Sequence, residues 1–180
     1  MAETATYTTD VSWQGDHWGH VVMGNGPQMM FSAPPDAYGH AGVLTPEDAF
    51  VAAANTCIMM MFLWACERFK IDLVSYTCRT DGVKRIALDH TELFTHLHFW
   101  PQIVVRADAD GDTVRIEKRV RRALAAAQKY SLVVNSVKSE VTVEPAISVI
   151  GHQEPVNGQP IWLPGSGRDS IRFIPRRSVL

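Results

Sequence analysis

The first 67 residues contain no arginine, and the first lysine is Lys70. The formal net charge of the chain is only -2, with no block of one sign. That balance argues against a nucleic-acid partner or an anionic membrane surface. Cysteine is scarce: Cys57, Cys66 and Cys78 are an odd number without metal-ligand spacing. They exclude a disulfide framework and favour a reducing compartment. Neither HExxH nor CxxC occurs, so no metal and no cofactor is expected. The opening MAETATYTTD lacks a basic stretch followed by an apolar one, so no secretory signal is read. The expected location is the cytoplasm. Repeats and low-complexity segments are also missing.

What is present reads as one soluble α+β domain. Residues 6–13, 17–23 and 28–32 suggest three strands, separated by Gln14-Gly15-Asp16 and Gly24-Asn25-Gly26-Pro27. Pro34, Pro35 and Gly39 mark a loop. Thr45-Pro46-Glu47-Asp48 then opens a helix: Thr45 as N-cap, Pro46 at the first position, two acids at the positive end of the dipole. This helix should run to about Phe69. Residues 73–78 and 83–88 read as strand around a bulge or turn at Thr80-Asp81-Gly82. Residues 93–105 suggest a long strand interrupted at Pro101, and 141–150 a final strand. Between them, 114–130 is an amphipathic helix with Ile116, Val120, Leu124 and Ala127 on one face.

From Ala49 to Cys66 only Asn55 and Thr56 are polar. The run is long enough to raise a membrane span. Its acidic cap, its alanine content and the amphipathic remainder of the chain speak against that, and no membrane partner is expected. A helix apolar on every side must be buried on every side. One small sheet does not suffice, but a second copy of the helix does, so a homodimer without a stable folded monomer is expected.

Geometry limits what Cys57 can meet. Taken alone, a lone mid-helix cysteine is more often a small core residue than a reactive thiol. Cys66 lies nine residues on, half a turn out of phase, so these two cannot form a disulfide. Glu47 lies ten residues back, ~15 Å along the same axis. In an antiparallel pair crossing at residue 52, Glu47 of one copy faces Cys57 of the other. The small side chains Ala52-Ala53-Ala54 would let two helices approach there.

These pieces resemble the OsmC/Ohr family, the osmotically inducible and organic hydroperoxide resistance proteins. The matching segments are Leu44-Thr45-Pro46-Glu47-Asp48, Ala52-Ala53-Ala54-Asn55-Thr56-Cys57, Ala127-Gln128-Lys129-Tyr130-Ser131 and Val141-Thr142-Val143. The resemblance spans about residues 7–150. It implies antiparallel sheets wrapped around a long central apolar helix in an intertwined homodimer. It implies a cysteine peroxidase of the oxidative stress response, acting on organic hydroperoxides or hydrogen peroxide at the dimer interface. Cys57 matches the peroxidatic cysteine and Glu47 the glutamate near it.

Two departures stand out. Gln128 holds the place of the family's resolving cysteine, and an amide forms no disulfide. The family also places an arginine near the thiol from its N-terminal strands, where this chain has none. A buried thiol without a nearby cation tends to keep its proton. The expectation is therefore a hydroperoxide reductase that relies on an external thiol reductant. The alternative is a non-catalytic OsmC-like module that binds a small apolar ligand in the same interface.

His96 and His98 share one strand face, and His90 lies near in sequence; two such ligands alone do not make a metal site. His17 and His20 are three apart and face opposite ways. Residues 151–180 read as a Gly/Pro-rich extension carrying Arg168, Arg172, Arg176 and Arg177, beyond an OsmC-like domain over 1–150.

Overall fold

The computed structural model describes residues 4–151. Three strands, β1 (Thr9–Trp13), β2 (Trp18–Met23) and β3 (Gln28–Ser32), form an antiparallel meander in the order β1-β2-β3. The first is shorter than the expected 6–13. A 3-10 turn at Pro35–Ala37 follows, and Phe31 and Leu44 bridge to bring the chain to the central helix. Every residue of β1 is exposed, and Val11 and Trp13 remain 69% and 78% accessible. Packing in the described chain leaves β1 uncovered, while β2 is half-buried and Ser32 at the end of β3 is fully buried.

Helix α1 spans Pro46–Phe69, and the sequence signals hold at both ends. Thr45 is extended and its hydroxyl accepts the Asp48 N–H at 3.1 Å. At the other end Lys70 adopts a left-handed conformation, φ 53°, and its N–H returns to the Cys66 and Glu67 carbonyls. Ala54, Ile58, Phe62, Ala65 and Cys66 are buried, at helical spacing on one stripe.

The main sheet is built on β4 (Leu73–Ile86) and β5 (Glu92–Arg106), paired antiparallel. Of the bulge or turn expected at Thr80-Asp81-Gly82, no turn forms; β4 continues through it, with irregularities at Leu73/Ser75 and, just past Gly82, at Val83/Lys84. Nor does Pro101 interrupt β5. Helix α2 (Thr113–Tyr130) and the short α3 (Leu132–Asn135) follow, then β6 (Glu140–Val143) and β7 (Ala146–Ile150). The expected single final strand is two, divided at Glu144–Pro145. Both lie parallel to β5, so this sheet is mixed where antiparallel pairing was expected. β6 pairs with His96 to Phe99 and β7 with Gln102 to Arg106. Pro101 falls between those two ladders, at a place where neither new strand requires its missing N–H.

α2 is capped by Asp112, whose carboxylate accepts the Arg115 N–H at 2.9 Å. The expected face Ile116, Val120, Leu124 and Ala127 is buried, together with Ala123. α1, α2 and the inner faces of β5 and β7 enclose a core around Phe62, Ile103, Val105 and Val120. A second cluster gathers Ala54, Ile58, Leu97, Phe99 and Val134. α1 runs through both, which makes it the core helix of the domain. It is long and apolar enough to cross a membrane, yet only 28% of its apolar window is buried within this chain. The exposed residues of α1 include Ala52, Ala53, Thr56, Met60 and Trp64.

Candidate active site

Cys57 lies on α1 one residue before buried Ile58, at the margin of the inward stripe, and is half-buried. Phe50, Cys57 and Trp64 recur every seven residues and so share one side of the helix. Farther along that side Trp64 meets Tyr130 edge-on at 5.6 Å and carries Arg68 over its ring at 5.0 Å. Cys66 points into the core, and burial pushes its thiol up to about 12, which leaves it inert at neutral pH. Cys78 on β4 lies across from Asn55, whose side-chain amide donates to the Cys78 carbonyl at 3.1 Å. Asn55 and Cys57 are two residues apart, so they leave the helix on opposite sides and Cys78 does not share the face of Cys57.

Glu47 sits in the first turn of α1, half-buried, with Oε2 enclosed and without a hydrogen-bond partner among the described residues. A cavity of about 250 Å³ opens beside it, lined by Pro46, Glu47, Phe50, Lys84, Leu93 and Phe94 together with Glu92. Phe50 and Phe94 stack there at 4.7 Å. Sequence reasoning missed Lys84. Its ammonium is 2.9 Å from Glu92, and that bond, followed by the charges of Glu92, Asp36 and Glu47, holds it protonated above its ordinary range. The signal lay in strand pairing, which sets Lys84 opposite Phe94 and cannot be read from local sequence.

Gln128 turns toward β6, where its amide donates to the Val141 carbonyl at 3.4 Å. Arg121, Leu124, Val143 and Pro145 surround it. Within one chain, therefore, Gln128 lies against the sheet edge, Cys57 on the side of α1 and Glu47 at its start. His96 and His98 do share a face, stacked at 5.6 Å, but they engage Glu140 at 3.3 Å and Thr142 at 2.6 Å. No group of three or more metal-ligating side chains occurs among the described residues. The C-terminal extension with its arginines lies outside the described residues, Gly151 excepted.

A thiol on a core helix, flanked by an apolar open face and with an enclosed carboxylate ten residues before it, defines a candidate thiol redox site. The family model of OsmC-like proteins matches residues 39–146, and the chain belongs to that family. Solved structures agree on the fold. An OsmC-like protein of unknown function from Vibrio cholerae is 22% identical with a TM-score of 0.68, covering 79% of this chain and 100% of its own. An organic hydroperoxide resistance protein from Elizabethkingia anophelis is 15% identical with a TM-score of 0.59, covering 83% and 100%. One from Bacillus subtilis is 15% identical with a TM-score of 0.52, covering 80% and 100%. No curated protein matches the chain.

Proposed function

We propose that this protein is a thiol-dependent hydroperoxide reductase whose site is completed by a second copy of the chain. The observation that carries the reading is the half-buried Cys57 on a helix whose exposed residues between its charged ends, Thr56 excepted, are apolar. The unmatched faces of α1 and of the N-terminal meander support the homodimer. Ala54 is spent on the inner core, so Ala49, Ala52, Ala53 and Thr56 are the small residues left for a helix crossing.

In the reaction, the Cys57 thiolate attacks the terminal oxygen of the hydroperoxide. The S–O bond forms and the O–O bond breaks. Cysteine is oxidised to a sulfenic acid, and the leaving alkoxide takes up one proton to become the alcohol. Gln128 cannot condense with the sulfenic acid. An external thiol does so, releasing water and forming a mixed disulfide, and a second equivalent of thiol returns Cys57 to its reduced form.

The test is a single turnover with cumene hydroperoxide, followed by peptide mass. Cys57 should gain one oxygen, and excess peroxide should drive it onward to sulfinic acid. If Cys57 stays reduced while Cys78 reacts, the peroxidase reading fails, and a ligand-binding module on the same fold takes its place. If an intramolecular disulfide forms, the requirement for an external reductant fails instead.

A further inference from the structure

We infer that Lys84 supplies the positive charge at the Cys57 site that the N-terminal segment of this chain cannot. This rests on the peroxidase and dimer reading above.

Lys84 and Glu47 line the same cavity, and the Glu47 charge is among those that hold the Lys84 ammonium protonated. Its seat is built by a close approach of β4 to α1. A Cβ at Gly82 would come within 2.6 Å of the Val51 side chain and 2.8 Å of the Phe94 ring, so only glycine lets the strand come this near. Val51 is one helical turn after Glu47, and the Phe94 ring that crowds Gly82 also lines the cavity with Lys84, so the irregularity at Val83/Lys84 leaves both Gly82 and Lys84 on the α1 side while Val83 and Arg85 are exposed. The close contact therefore brings Lys84 to the cavity that Glu47 lines, with no ion pair between the two in the single chain. Glu92 occupies one of the three N–H donors of the Lys84 ammonium at 2.9 Å. Lys84 lines the cavity in which the enclosed Glu47 oxygen lacks a donor.

In an antiparallel pair of α1 helices, the residue that arrives opposite Glu47 is Cys57 of a second copy. Phe50 marks the same side of α1 as Cys57, and it lines the cavity. The incoming thiol thus meets a wall of Phe50, Phe94 and Leu93 with Lys84 at its edge. Glu47 on α1, Glu92 on β5 and Asp36 on the 3-10 turn face the ammonium and hold it charged. They also oppose a thiolate, so loss of Lys84 leaves them unbalanced against it. A lysine that merely tied β4 to β5 would affect stability and leave the thiol unchanged.

Alkylation of Cys57 by iodoacetamide, followed against pH by peptide mass, separates these cases. The buried Cys66 serves as the internal reference for intact folding. Lys84→Met should move the Cys57 profile to higher pH and slow the neutral reaction about tenfold, the effect of one charge at short range. Lys84→Arg should restore it. An unchanged Cys57 profile in Lys84→Met, with Cys66 still protected, overturns the inference. Should Lys84→Met unfold, Glu92→Gln decides: the profile should move to lower pH, and no movement overturns the placement. If the wild-type thiol ignores cumene hydroperoxide while its alkylation still answers to Lys84, the peroxidase reading falls and the placement of the charge stands.

Discussion

The two long helices bury five residues each within the chain, but they differ in what remains. In α2 the buried set Ile116, Val120, Ala123, Leu124 and Ala127 is complemented by Arg115, Lys118, Arg121 and Arg122 on the outside. In α1 the buried set Ala54, Ile58, Phe62, Ala65 and Cys66 is backed by Ala52, Ala53, Met60 and Trp64. A helix whose outer face is charged is complete once its core forms. One whose outer face is also apolar is complete only when something else covers it. If the proposed second copy supplies that cover, partner choice is written on the part of α1 that its own core does not use.

The largest test of this contrast is inward. Phe62 is wholly buried and packs on Tyr76 at 5.3 Å, so Phe62→Ala should cost about 3–5 kcal/mol in urea unfolding. The outward test follows. Met60 is 54% exposed in the single chain, yet Met60→Glu should weaken assembly by about 3 kcal/mol in sedimentation, because the charge would be buried in the pair. On exposed Ala125 of α2 the same change to Glu should stay within about 0.5 kcal/mol. If Met60→Glu leaves assembly intact, the contrast between the helices does not define the interface.

The caps give smaller effects. Thr45→Ala and Asp112→Ala should each cost about 1 kcal/mol by thermal unfolding, with Thr45 the larger because it is buried. The smallest concerns acid. The Arg119 hydrogen bond, then its charge and that of Arg115, hold Asp108 below the usual carboxylate range. The folded value lies below the unfolded one, so this stabilisation is present at neutral pH and is lost as pH falls through the folded value. Arg119→Met should flatten stability against pH below about pH 4. That loss touches the α2 end of the fold and should leave the Cys57 reaction unchanged.

Local chemistry made the helices legible. Thr45-Pro46 and the Lys70 end bracket α1, and the period of Ile116, Val120, Leu124 and Ala127 fixes the inner face of α2. The strands were legible where turns separate them, as at Gly24-Asn25-Gly26-Pro27. They were misread where neighbours decide: Thr80-Asp81-Gly82 stays in β4 because β5 pairs along its whole length, and Pro101 is tolerated because of where β6 and β7 end. Cys57 and Glu47 were visible by spacing on one helix. Lys84 was not, because its relation to Glu47 exists only after β4 folds back onto α1.

The division at Pro101 has a counterpart at Pro145, between β6 and β7, and neither residue carries an N–H. The core divides at the same level: Ala54, Ile58, Leu97 and Phe99 on one side, Phe62, Cys66, Ile103 and Val105 on the other. On the β6–β7 side the ladder parts along the same line as the core, although β4 pairs with β5 across it, and two cooperative opening units are expected rather than one. Amide exchange should then show two protection levels within β5, one for residues 96–99 and another for residues 102–106. α1 passes through both units, so the amides around buried Ile58 and those around buried Cys66 would report two separate opening free energies from a single helix.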